Sequence, residues 1–195
     1  MLIGLLRIEL MNEFALASGR SLTVEGVTIR QVVISEFDQF VQHAHAVREW
    51  MRENGTESAI QAFIKHSANT VALLQLLTDI DSEKLLQAAQ NPDSFLTFII
   101  GLHQLNSAYF DEEPSTNKPD PDSKRTWFDN FQFLIGHGHQ NDQIMQYTYG
   151  AFIGYVDAAE RSSKVQRYGL AEAVRLAQHA DAQTFENYSD KLLED

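Results

Sequence analysis

Seven histidines and no cysteine set the limits of the chemistry open to this chain's side chains. His43 and His45 lie two apart in a helical stretch. Their side chains then point about 200° from one another, so they cannot grip one metal ion as an i, i+4 pair does. His137, His139 and Asp142 are a better set, because Gly136 and Gly138 let close side chains converge on one ion. The same glycines also simply let the chain turn between helices, leaving the histidines as polar loop residues, and that reading outweighs a metal site. Carboxylate pairs occur at Asp79 and Asp81 and at Glu112 and Glu113. They fall near helix ends or in a polar break, where capping and solvation account for them. The chain has no Gly-rich phosphate loop, no nucleophile elbow and no HExxH zinc signature. The expectation is no catalytic residue, no metal and no cofactor.

Charge narrows the partners. The formal net charge is −12, and 44% of the 195 residues are hydrophobic, enough for one domain or two small ones. Acidic residues outnumber basic ones by 12 to 7 over residues 1–110, by 5 to 3 over 111–126 and by 10 to 5 over 127–195. A nucleic-acid partner requires a basic face that releases counterions, and no such stripe is present. The apolar run after Met1 is short, and Arg7 and Glu9 interrupt it, so it reads as neither a signal peptide nor a membrane span. Met11 offers a second start. Without cysteine there are no disulfides and no thiolate chemistry, which suits a reducing compartment; the cytoplasm is the expected location.

The elements that must position these residues follow from periodicity. Leu22 to Arg30 alternates branched apolar and polar residues around Glu25-Gly26, which predicts a small hairpin, with Ile3 to Glu9 as a candidate third strand. From Ser35 the period becomes helical: Phe37, Phe40, Val41, Ala44, Val47 and Met51 share one face. Ser35 and Asp38 resemble a capping box, and Asn54-Gly55 ends that helix. Further helices are predicted from Thr56, Asn69 and Ser82. Another follows Asn91-Pro92, an N-cap with proline at the first helical position.

Asp111 to Thr126 holds three of the four prolines and little that is apolar, so no regular element can cross it. It reads as a flexible linker between a mainly helical domain, residues 1–110, and a helical C-terminal segment, residues 127–195. In that segment Trp127, Phe128, Phe131 and Leu134 form one stripe ending at Gly136. A short helix follows from Asn141 or Asp142, and a long one opens at Thr148. A break at Ala180-Asp181 precedes the last helix. Gly150, Gly154 and Gly169 suggest close helix contacts or bends. The fold class is mainly α with a minor N-terminal hairpin.

Aromatic residues are the remaining feature. Phe37, Phe40, Trp127, Phe128, Phe131, Tyr147, Phe152 and Tyr155 recur at helical spacing, as core residues do. A C-terminal segment of about seventy residues builds little core by itself, so some of these rings are candidates for binding a partner, and which ones are core stays open.

The order of segments resembles the tail assembly chaperones of long-tailed bacteriophages and prophages. The likeness is carried by the Thr-Val-Glu-Gly-Val-Thr-Ile-Arg strand region and by Leu105-Asn-Ser-Ala-Tyr-Phe110 before the Pro-rich break. It continues in Trp127-Phe-Asp-Asn-Phe-Gln-Phe-Leu-Ile-Gly-His-Gly-His139, Tyr155-Val-Asp-Ala-Ala-Glu-Arg161 and Ala173 to Ala180. In that family a short product and a frameshift-extended product coat the hydrophobic tape measure protein and help recruit tail tube subunits. The resemblance therefore implies a non-enzymatic chaperone in the host cytoplasm. Its implied partners are the tape measure protein, the tail tube protein and a further copy of itself, with no nucleic acid and no membrane. Its N-terminal helices would hold a helical client and its C-terminal segment would add a tethered contact. The long helix has few arginines, with Arg161, Lys164 and Arg167 facing many acids in this segment, a departure from family members with a basic C-terminal face. The alternative class is a small helical regulator or enzyme that uses the His137 and His139 loop.

Overall fold

The computed structural model describes residues 19–55, 58–111 and 126–193. The described residues are mainly helical, with ten helices and one two-stranded antiparallel sheet. Strands β1 (Leu22–Val24) and β2 (Val27–Ile29) pair with Thr23 opposite Thr28. Glu25 and Gly26 both have positive φ, 50° and 71°, which is how a two-residue hairpin turn matches the twist of its strands. A 3-10 turn, Ile34–Glu36, leads into α1 (Phe37–Asn54), followed by α2 (Ala59–Lys65), α3 (Ser67–Leu77), α4 (Ser82–Gln90), α5 (Pro92–Leu105) and α6 (Ser107–Phe110). After residue 125 come α7 (Trp127–Gly136), α8 (Asn141–Gln146), α9 (Tyr149–His179) and α10 (Ala182–Leu193).

Several ends follow local chemistry. Gly55, at φ 86°, stops α1 where a left-handed conformation is needed. Asn91 Oδ1 accepts from the N–H groups of Asp93 and Ser94, with Pro92 opening α5. Asp81 and Asp181 accept from the N–H groups of Lys84 and Thr184. Other expectations fail. Ser35 and Asp38 form no capping box, because the 3-10 turn shifts the start of α1 and puts Glu36 at the cap position without a side-chain bond. The capping box that does form joins Thr126 and Asp129 at the start of α7. Helix α3 begins at Ser67 rather than Asn69. The candidate strand at Ile3 to Glu9, the cap at Thr56 and residues 112–125 of the expected linker lie outside the described residues.

Two compact units emerge, residues 1–155 and 156–195. The division expected in the Pro-rich segment therefore falls instead at Tyr155, since α7, α8 and the first turns of α9 pack with the helices that precede them. The core of the first unit is built on α1, whose Phe40, Ala44, Val47 and Met51 are buried one to two turns apart and face chiefly α3. Leu73, Leu74 and Leu77 of α3 and Phe98, Ile99 and Leu102 of α5 are equally enclosed. Each such side chain contributes roughly 1.5–3 kcal/mol of burial. The hairpin lies on α5 at Gly101, where an added Cβ would come 2.7 Å from Ile29 Cδ1. Among the described residues, a Cβ at Gly154 or Gly169 would meet nothing within 4 Å, so the close approach anticipated there occurs at Gly101 instead.

An extended segment after the hairpin ties this unit together. Thr28 donates its N–H to Asp79 Oδ1 at 2.7 Å. Arg30 donates to the Leu77 carbonyl at 2.9 Å and Ile34 to the Tyr147 carbonyl at 2.9 Å. Between them Val32 N–H donates to Asn106 Oδ1 at 2.9 Å. Tyr149 N–H returns a bond to the Val32 carbonyl at 3.0 Å. Asn106 is buried and its amide also donates to the Leu102 carbonyl at 3.0 Å.

Two outcomes follow. Asn106→Ala strands a buried N–H at Val32, a loss of about 1–3 kcal/mol that urea denaturation should report as a lower midpoint with unchanged slope. The hydrogen bond from Thr28 holds the Asp79 carboxyl below its ordinary pKa, with Lys84 a smaller contributor. A lowered folded pKa gives stability that is present above the unfolded pKa and lost as pH falls through the folded one. Asp79→Asn should therefore be less stable than the parent near neutral pH, and denaturation across a pH series should show the gap closing on acidification.

Candidate functional site

The aromatic residues are the side chains that the structure gathers. Phe37, at the start of α1, stacks on Tyr149 with ring centres 4.6 Å apart and planes 1° from parallel. It also meets Trp127 at 5.1 Å and Tyr109 at 5.8 Å. Trp127 continues the array to Phe152 at 5.4 Å and Phe131 at 6.0 Å, and Phe128 touches Phe131 at 6.4 Å. Helical spacing explains the set on α7: Trp127 and Phe131 are four apart and Phe128 borders both.

Burial divides this array. Phe40 and Phe152 are 0% exposed while Trp127 is 42% and Phe128 77% exposed. Phe40 and Phe152 are therefore core, which corrects their candidacy as contact residues: their rings are engaged by Tyr109 and Phe110 and by Trp127 and Phe131. Phe37 and Phe131 are half-buried. With Trp127, Val41 and Met145 they wall an open cleft of about 730 Å³. Ser35, Asp38, Gln42 and His45 also line it and add polar groups among the apolar ones. Val41 was legible as part of the α1 stripe. Met145 carried no sequence signal, because its place beside α1 depends on the bonds that Tyr147 and Tyr149 make with Ile34 and Val32.

Tyr147 and Tyr155 belong elsewhere. Their rings lie 4.8 Å apart, and the Tyr147 hydroxyl shares a hydrogen bond of 2.8 Å with His139 Nδ1. Burial, and then the neighbouring Tyr155, push the Tyr147 phenol above its ordinary pKa, so this group is a neutral hydrogen-bonding hydroxyl. His137 is apart from it, its Nδ1 donating to the Phe133 carbonyl at 2.8 Å at the end of α7. Among the described residues, no three His, Asp or Glu side chains gather as metal ligands would. His43 and His45 both lie on α1, and His45 lines the cleft.

The second unit offers a different surface. Val165, Tyr168, Leu170, Val174 and Phe185 are all exposed. A cleft of about 570 Å³ lies between Tyr168, Arg175 and His179 of α9 and Thr184 of α10. Among the described residues no helix is long and apolar enough to cross a membrane.

No protein-family model matches the chain, and neither the curated proteins nor the solved structures yield a match to it.

The two classes of aromatic residue should separate on substitution. Phe152→Ala opens a cavity in the core and should cost about 3–5 kcal/mol, whereas Phe128→Ser should stay within about 0.5 kcal/mol of the parent. Guanidinium denaturation of both variants measures the difference.

Proposed function

We propose that the protein is a non-enzymatic binding protein of the phage tail assembly chaperone type, holding apolar helices of a tape measure protein and helping to recruit tail tube subunits. The observation that supports this most is the cleft between α1 and α7, where Trp127 and Phe128 leave large aromatic surface in solvent beside an apolar floor. Exposed aromatic side chains around a groove are what an amphipathic helix uses for docking, and such docking requires no catalytic group. The cleft draws its walls from residues on both sides of residues 112–125, so the client site belongs to the first unit as a whole rather than to residues 1–110. For the tail tube subunit we assign the exposed apolar residues of the second unit, from Val165 to Phe185.

Co-expression of the whole chain with a tape measure protein encoded beside it tests this reading. The soluble share of the tape measure protein should rise several-fold, and Trp127→Ala combined with Phe128→Ala should remove the gain while circular dichroism stays helical. No gain with the parent chain, under conditions in which a control chaperone succeeds, overturns the reading.

A further inference from the structure

The cleft is asymmetric in charge, and this specifies its occupant more closely. We infer that it takes an amphipathic helix whose apolar stripe is flanked by lysine or arginine, an inference that rests on the cleft being a helix-binding site. Helix α1 lays two adjoining ridges along it: Phe37, Val41 and His45 at intervals of four residues, and Asp38 with Gln42 beside them. Phe37 and Val41 of the first ridge complete the wall made by Trp127, Phe131 and Met145. Asp38 is the only carboxylate among the described residues lining the cleft, and no lysine or arginine lines it.

Several other carboxylates of this unit already have work. Glu36 contacts Arg30 at 2.6 Å, Asp79 accepts from Thr28, Asp81 caps α4 and Asp129 caps α7. The exposed carboxylate of Asp38 makes no hydrogen bond or ion pair with another described residue. Its position in the first turn of α1 also suits the helix dipole, yet that role is equally served by an acid on any face of the turn. A cation flanking the apolar stripe of a bound helix would meet Asp38 on one side, and the exposed ring faces of Trp127 and Phe128 attract cations as well. The net charge of −12 favours the approach of a basic helix and opposes an acidic one.

The test uses the full chain carrying Trp50→Phe, which leaves Trp127 as the reporter. It is titrated with two synthetic helical peptides that share one apolar stripe, flanked by lysine in the first and by glutamate in the second. The lysine peptide should shift Trp127 emission to the blue and bind roughly tenfold more tightly, with the preference shrinking as salt is raised. Asp38→Lys should erase or invert the preference. Asp38→Asn, which keeps size and drops charge, should reduce it and so separates loss of charge from loss of helix structure. Equal binding of the two peptides, or a preference that survives both substitutions, overturns the charge inference and leaves the cleft standing. Binding of neither peptide overturns the cleft reading and this inference with it.

Discussion

Between Thr28 and Ile34 every second backbone N–H is donated to a different part of the chain: Asp79, Leu77, Asn106 and Tyr147 in turn. Beyond the hairpin the segment makes only isolated bridges among the described residues, Ile29 with Thr78 and Val33 with Thr148, and buried N–H groups left without acceptors would each cost on the order of 1–3 kcal/mol. Val27, Ile29 and Val32 along this stretch are all at most 1% exposed. One run of extended backbone thus fixes the end of α3, the end of α5 and the loop before α9 at once. Arg30 adds to this, donating from its guanidinium to the Leu76 carbonyl at 2.9 Å and contacting Glu36. The helices are arranged around a strand-like spine that they must satisfy.

The cleft is a consequence of that spine. Because Ile34 donates to the Tyr147 carbonyl and Tyr149 to the Val32 carbonyl, the start of α1 and the start of α9 are held side by side, and Phe37 stacks flat on Tyr149. Trp127 then covers the edge of Phe37 and brings α7 in with it. Stacking and edge contacts of this kind add about 0.5–1.5 kcal/mol each beyond burial. Ring surface is used inside the array to order it, while Trp127 and Phe128 still leave ring surface in solvent. The protein's candidate binding surface is therefore the exposed margin of its own core, with the Asp38 carboxylate beside Phe37 and Val41 on the same helix.

Much of this was legible locally. The alternating run around Glu25-Gly26, the α1 stripe, the Asn91-Pro92 cap and the stops at Gly55 and Asp181 are signals written within a few residues, and each element appears where its signal lies. The errors were of a different kind. The capping box placed at Ser35 failed because a 3-10 turn, stabilised by the backbone bond of Ile34 to Tyr147, moved the helix start. Gly101 permits close packing through Ile29, a neighbour in space that is far away in sequence. The chain was expected to divide at its prolines, but residues 127–155 are held by contacts to α1 and the spine that no local pattern announces.

The sequence by itself determined the helices, the hairpin and the apolar face of each, because propensity, capping and periodicity act over one or two turns. It also supplied the acidic charge and left the chain without cysteine chemistry. Tertiary structure alone decided that Asn106 serves Val32 across 74 positions and Asp79 serves Thr28 across 51. It likewise decided that Phe152 is core while Phe128, on an equally aromatic helix, is exposed. A periodic stripe states which side of a helix must leave water; what covers that side depends on long-range hydrogen bonds, whose partners have no signature in either local sequence.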